Sequence, residues 1–257
     1  MYKLKSKKIL ISGASKGLGY VCAKAFAEEG AHLVMAARSM EQLEELRESL
    51  PDSERHMSFA ADLTQSDKIS ELIEAGEGFF GDFDVVMHVA GGGLGLKDPL
   101  LTSEDFKKLY ELNVGIAVGI NRLVIPKMIE KGSGNVVHVC SIASTEATGS
   151  VGYNTSKAAL AAYVRSLGRE IADTGVIVTG ILPGAFLAPQ NAFVRLSEKN
   201  PDAYEKFIEE KLPRKHFGRA EEIIPILSFL SSTTASMMSG CCVPIDAGEG
   251  LSYLAHY

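Results

Sequence analysis

Lys8-Ile9-Leu10-Ile11-Ser12-Gly13-Ala14-Ser15-Lys16-Gly17-Leu18-Gly19 joins a short apolar run to a turn rich in glycine. A helical pattern begins near Tyr20, runs to Glu29 and stops at Gly30. Glycines let a backbone turn sharply and approach a pyrophosphate closely, and a helix N-terminus favours the anion. The context of strand, turn and helix therefore points to a dinucleotide cofactor. A tight strand-to-helix turn without a ligand is the plain alternative. The spacing Gly13-x-x-x-Gly17-x-Gly19 also differs from the common G-x-G-x-x-G.

The alternation continues along the chain. Further strands are expected at Ala31–Ala36, Met57–Ala61, Asp84–Val89, Asn135–Val139, Val176–Leu182 and Cys242–Asp246. Helices are expected at Met40–Leu50, at Asp67–Ala75 with Gly76 as its stop, at Thr102–Lys131 as one helix or two, after Tyr153, and at Ala220–Leu230. The strands are apolar runs without clear alternation, as when both faces of a parallel sheet are covered. With no linker, charge block or repeat, residues 1–257 read as one doubly wound α/β domain with a mostly parallel sheet of about seven strands. Residues 185–219 form the only long irregular-looking stretch. Segments of this length are commonly functional lids or carry helices of their own, and a substrate lid is expected here.

Composition narrows the function classes. The 257 residues are 46% apolar with a formal net charge of −6 and no Lys/Arg run, which argues against nucleic acid or a membrane surface as partner. No apolar run reaches membrane-spanning length. Met1-Tyr2-Lys3-Leu4-Lys5 leads straight into a strand, so no signal peptide is expected. Cys22, Cys140, Cys241 and Cys242 lack paired spacing and read as reduced, buried thiols of a cytoplasmic protein. The six histidines show no zinc-ligand spacing, and no metal is expected.

Tyr153-Asn154-Thr155-Ser156-Lys157 opens the helix that follows the fifth strand. Four residues is about one turn, so the phenol and the ammonium project from one face. A cation one turn away favours the phenolate. Such a pair can deliver a proton to a carbonyl oxygen as it gains charge. Surface packing is the ordinary meaning of this spacing when it stands alone.

It does not stand alone. Gly13-x-x-x-Gly17-x-Gly19, Asp62, Ala90-Gly91, Asn113, Ser141, Tyr153-x-x-x-Lys157 and Pro183-Gly184 follow in the order seen in short-chain dehydrogenases/reductases. The chain resembles that family along nearly its whole length. Phe229-Leu230-Ser231-Ser232 and Val243-Pro244-Ile245-Asp246-Ala247-Gly248 resemble its 3-oxoacyl-carrier-protein reductase-like branch. The resemblance implies a Rossmann-type fold and a catalytic set of Tyr153 as acid, Lys157, Ser141 and Asn113. In that set Lys157 favours the phenolate and binds the nicotinamide ribose. Ser141 donates to the substrate carbonyl and is preferred to Ser144, and Asn113 holds a water linking Lys157 to solvent. It places the cofactor along Gly13, Ser15, Lys16, Gly17, Leu18, Gly19, Arg38, Ser39, Asp62, Leu63, Ala90, Gly91, Tyr153, Lys157, Pro183, Gly184 and Phe186. It also implies a homodimer or homotetramer.

The second strand ends in Ala36-Ala37-Arg38-Ser39, without the acidic residue that would hold ribose hydroxyls. Arg38 can pair with a 2′-phosphate and Lys16 adds a second cation, so NADP(H) is expected. Asp62 is expected beside the adenine, although a helix cap is its other reading. His88 stands where the family has an asparagine that ties neighbouring strands together; replacing that hydrogen bonding and simple packing are its two readings, and packing is the default. No hydroxyl follows Pro183-Gly184 in Ala185-Phe186-Leu187-Ala188.

The expected activity is NADP(H)-dependent hydride transfer to or from a small-molecule carbonyl or alcohol. The mixed polarity of residues 185–219, with Phe186, Phe193 and Tyr204 placed against the substrate, favours a polar, sugar-like ketone. The alternative substrate is a 3-oxoacyl thioester, with Arg122, Lys127 and Lys131 as docking cations. The alternative of another class is a non-catalytic NADP(H)-binding sensor or scaffold.

Overall fold

The computed structural model describes residues 4–252. The reading of Met1-Tyr2-Lys3 and the last five residues of the expected 1–257 domain lie outside them. In chain order the strands are β1 (Lys8–Ser12), β2 (His32–Ala37), β3 (His56–Ala60), β4 (Val85–His88), β5 (Gly134–Val139), β6 (Val176–Pro183), β7 (Phe186–Leu187), β8 (Gly218–Arg219) and β9 (Cys242–Ile245). The helices are α1 (Gly17–Glu28), α2 (Met40–Ser49), α3 (Ser66–Phe80), α4 (Ser103–Tyr110), α5 (Ile116–Lys131), α6 (Val151–Glu170), α7 (Ala192–Lys199), α8 (Pro201–Lys211) and α9 (Ile224–Leu230).

Seven strands form one sheet in the order β3-β2-β1-β4-β5-β6-β9, all parallel. Strand side chains alternate between two apolar layers. Ile9, Ile11, Leu33 and Met35 pack with Phe26, Leu43 and Leu227 on one face. Leu10, Val34 and Val86 pack with Leu72, Ile120 and Val164 on the other. Both faces are thus covered by helices, which explains the unalternating apolar runs. The order reverses between β1 and β4, and such a reversal opens a crevice beyond the strand ends. There the backbones nearly touch: a Cβ on Gly13 would lie 2.8 Å from the Ala90 nitrogen.

Several expectations are corrected. The helix expected to stop at Gly76 runs on to Phe80, and Gly81, at φ +83°, ends it. Gly76 is there for packing, because a Cβ on it would meet the Phe83 ring at 2.6 Å. Residues 185–219 are not irregular. They hold α7 and α8, flanked by the small parallel pair β7–β8. Asn191 and Asn200 cap the two helices by accepting from Val194 and Ala203. Phe193 and Tyr204 face Phe217 at centroid distances of 4.8 and 4.9 Å, so they form the segment's own aromatic core. Cys241 is exposed and Cys242 half-buried, unlike the buried Cys22 and Cys140.

Helices α4 and α5 are joined by a π turn at Glu111–Gly115. The resulting helix, Ser103–Lys131, is by length and composition long and apolar enough to cross a membrane, contrary to the expectation from the sequence. In this fold its apolar positions Leu109, Val114, Ile116, Ile120 and Val124 are buried.

Gly76→Ala tests the packing reading. Alanine is the better helix former by about 1 kcal/mol. Overpacking against the buried Phe83 costs about 1–3 kcal/mol. Urea denaturation is expected to show net destabilisation; a more stable variant would contradict the packing role.

Candidate active site

The site begins with β5. Beyond Val139 the chain places Cys140 and then Ser141, whose Oγ accepts from Ala143 N at 3.1 Å and caps a short 3-10 turn. That geometry leaves the Ser141 hydroxyl proton free to donate. Ser144, the competing serine, spends its proton on the Lys157 carbonyl at 2.9 Å.

Helix α6 carries Tyr153 and Lys157 on one face, with the Lys157 Nζ 5.8 Å from the Tyr153 ring centroid. Lys157 is 3% exposed, and its ammonium donates to the Val139 carbonyl at 2.8 Å. No carboxylate pairs with it among the described residues. A Cβ on Gly91 would lie 3.2 Å from Nζ and 2.8 Å from the Asn113 Oδ1. Lys157, Asn113 and the loop after β4 therefore meet at one point.

Asn113 sits in the π turn. Its Oδ1 accepts from Gly92 N, and its Nδ2 donates to Gly92 O and Leu109 O, each at 2.9 Å. Two of these bonds pin Gly92 to the π turn. A Cβ on Gly93 would lie 3.9 Å from the Tyr153 Cβ.

Most of the expected cofactor residues follow the C-terminal ends of β1, β2, β3, β4 and β6. Gly13 and Gly17 have φ of +78° and +62°. A Cβ on Gly17 would meet nothing within 4 Å, while the Gly17 N–H donates to the Pro189 carbonyl at 2.8 Å. Lys16 and Arg38 are exposed and make no ion pair among the described residues. The Ser39 Oγ accepts from Gln42 N and caps α2. Asp62 is not a helix cap; its Oδ1 holds a turn through the Thr64 N–H and hydroxyl. Leu63 is buried beside it, and Ala90 N donates to the Ser12 Oγ. Leu18 and Gly19 are buried in the first turn of α1, and Ser15 is half-buried in the loop before it. Pro183 ends β6, and Gly184 N donates to Ile245 O at 3.1 Å. Phe186 packs on the core, and its carbonyl accepts from Asn191 Nδ2.

Sequence reasoning missed two groups. The first is a carboxylate rim. Glu249 Oε2 accepts from Ala185 N at 2.5 Å, where the family's hydroxyl is lacking. Burial raises the Glu249 carboxyl above its usual value, and Asp246 and Glu146 add to the effect. Glu146 itself accepts from Leu251 N, Ser252 N and Ser252 Oγ, tying the chain's end to the loop after Ser141. The only signal was the position of Glu249 just after Asp246-Ala247-Gly248.

The second is a buried polar network. His138 Nδ1 must donate to the Thr179 carbonyl at 3.0 Å, so its Nε2 accepts from Asn121 Nδ2 at 3.2 Å. Asn121 Oδ1 then accepts from His88 Nε2 at 2.8 Å, and Asn121 Nδ2 also reaches Tyr163 OH at 3.1 Å. The two imidazoles stack at 4.7 Å. His88 therefore hydrogen-bonds as well as packs, which corrects its default reading. The hint was polar Asn121 two turns beyond Asn113.

The family model described as short chain dehydrogenase matches residues 7–199. The chain belongs to the short-chain dehydrogenase family. It is 28% identical over 253 residues to a 3-oxoacyl-[acyl-carrier-protein] reductase of Thermotoga maritima, covering 96% of this chain and 98% of that one. It is 32% identical to the levodione reductase of Leifsonia aquatica, covering 95% and 94%. Among solved structures it is similar to the L-sorbose reductase of Gluconobacter frateurii complexed with NADPH and L-sorbose. That likeness has a TM-score of 0.87 at 28% identity and covers 97% of this chain and 98% of the other. These dehydrogenase relatives share the fold and differ in substrate, so the fold alone does not name one.

Burial lowers His88 from 6.5 to about 4 and holds His138 well below the ordinary imidazole value, with His88 and Lys157 adding to the effect at His138. An imidazole kept neutral by the fold takes up its proton only on unfolding. Its contribution to stability is complete above pH 6.5 and is lost as pH falls through 6.5 towards 4. Each such histidine is worth up to about 1.4 kcal/mol per pH unit in that window. In His88→Asn the acid-side slope of unfolding free energy against pH is expected to fall by about one proton. An unchanged slope would show that His88 is not held neutral.

Proposed function

We propose that this dehydrogenase uses NADPH to reduce a small polar ketone or aldehyde of sugar-like character. The observation that carries the reading is the convergence of Tyr153, Lys157, Ser141 and Asn113 at the crevice beyond β1 and β4. The residues fit the cofactor. Gly13, Ser15, Gly17, Leu18 and Gly19 would take the pyrophosphate at the α1 N-terminus. Lys16, Arg38 and Ser39 would take the 2′-phosphate, and Asp62 with Leu63 the adenine. Ala90, Gly91, Pro183, Gly184 and Phe186 would flank the nicotinamide end. When bound, the reduced nicotinamide supplies the hydride.

The chain's own groups do the rest. Ser141 donates its free hydroxyl proton to the carbonyl oxygen. Tyr153 gives that oxygen a proton as charge develops on it. Lys157 favours the phenolate left behind and holds the ribose hydroxyls. Asn113 would hold a water linking Lys157 to solvent.

The carboxylates Glu146, Asp246 and Glu249 near Gly184 and Ala185 support a hydroxylated substrate. The thioester alternative is weakened at its docking surface. Lys127 pairs with Glu77 at 2.5 Å and Lys131 pairs with Asp84, which leaves Arg122 as the unpaired member of the three. A non-catalytic NADP(H) sensor needs no tyrosine and lysine arranged in this way. Residues 185–219 act as the lid in this reading. Phe193, Tyr204, Phe207 and Phe217 form one aromatic core, and the Pro189 carbonyl accepts from Gly17 N at 2.8 Å, which ties the segment to the phosphate turn. Assembly through the exposed sides of α4, α5 and α6, as a homodimer or homotetramer, completes the proposal.

One assay tests the reading. NADPH oxidation is expected with ketoses or other hydroxylated ketones, faster than with NADH at equal concentration. Tyr153→Phe is expected to retain its fold and lower turnover at least a hundredfold. Near-normal turnover in that variant, or preference for NADH, would overturn the corresponding part.

A further inference from the structure

Cys140 and Cys242 lie far apart in sequence but share one face of the sheet. Cys140 follows β5, and its N–H donates to Ile181 O at 2.9 Å. Cys242 opens β9 and pairs in register with Gly180 of β6. The glycine between them is what lets the thiols meet. Each sulfur lies 3.2 Å from the place that a Cβ on Gly180 would take. The pair sits beneath α6, with Cys242 Sγ 3.9 Å from Ala161 O. Lys157 and the exposed Arg165 are the cations that face it.

We propose that Cys140 and Cys242 form a two-thiolate site for a soft monovalent d10 cation, Cu(I) or Ag(I), whose binding shuts down the neighbouring catalytic group. Thiolate ligands select such ions over hard ones. A structural zinc site wants four ligands. Among the described residues no group of three or more His, Cys, Asp or Glu is placed to supply them. A disulfide is excluded by the strands. Two strand spacings separate the backbones by about 9.6 Å, beyond the roughly 7 Å that a disulfide spans without backbone movement. An ion between the sulfurs needs no such movement. Binding releases two thiol protons to solvent and involves no electron transfer. The bis-thiolate complex carries one negative charge, which Arg165 and Lys157 offset. It acts on turnover because Cys140 adjoins Ser141 and because the new charge competes for the Lys157 ammonium.

The test uses the full chain and Ag(I) as a redox-inert probe, in a Cys241→Ser background that removes the exposed neighbouring thiol. Native mass spectrometry after gel filtration is expected to show one Ag(I) per chain. Adding Cys242→Ser, or Cys140→Ala, is expected to lower retention at least tenfold, while buried Cys22 remains in every variant. Failure of Cys241→Ser to retain the ion, or equal retention without Cys242, would overturn the site. This readout does not depend on which carbonyl is turned over, so it stands or falls apart from the proposed activity. Ag(I) is further expected to lower NADPH oxidation at least tenfold in Cys241→Ser and not when Cys242→Ser is added. Retained ion with unchanged NADPH oxidation would overturn the coupling to Ser141.

Discussion

A buried ammonium whose assigned partner is a main-chain carbonyl governs the arrangement of this molecule. Lys157 Nζ donates to Val139 O at the end of β5 and has no carboxylate to neutralise it among the described residues. Taking an unpaired charge out of water is costly, by several kcal/mol even after the surroundings relax. In the proposed function the fold keeps that cost where it serves chemistry. The end of β5 supplies the carbonyl, and α6 supplies the lysine together with Tyr153 one turn before it. Gly91 must lack a side chain because Nζ and the Asn113 amide occupy the space. The π turn at Glu111–Gly115 presents Asn113 to Gly92, as π turns in long helices often do at functional sites.

Around that point the architecture is economical in its physical logic. A parallel sheet with both faces covered leaves its strand ends as the place for a site, and the reversal between β1 and β4 opens the crevice. The glycine turn leads into the α1 N-terminus on one side. The carboxylate rim of Glu146, Asp246 and Glu249 lies on the other, drawn in by the return of the chain's end over the loop after Ser141. Beneath the site, Asn121 ties His88 to His138 and so links β4, β5 and α5 through neutral hydrogen bonds.

The parts legible in the sequence were those with local signals. The apolar runs gave the sheet, the glycine turn gave the crevice, and the four-residue spacing of Tyr153 and Lys157 gave their common face. Other features depend on contacts distant in sequence. Gly76 looked like a helix stop, but its role is set by Phe83 across a turn, while Gly81 with positive φ ends the helix. His88 looked like packing because its partners, Asn121 and His138, lie 33 and 50 residues away along the chain. Glu249 could not be placed beside Ala185 without the closing strand β9. The helices of residues 185–219 are a different case. Asn191 and Asn200-Pro201 were readable start signals. The high polarity of the stretch hid them, because Phe193, Tyr204 and Phe207 pack on Phe217.

The central claim is that the Lys157 ammonium is held for chemistry at a cost to stability. The direct measurement is thermal unfolding of Lys157→Met alongside its turnover of NADPH. Methionine keeps the length of the side chain and removes the buried charge. The account predicts a Tm equal to or above that of the natural protein, with turnover lost by two orders of magnitude or more. A Tm lowered by several degrees would show that the ammonium holds the fold together, and the claim would be wrong.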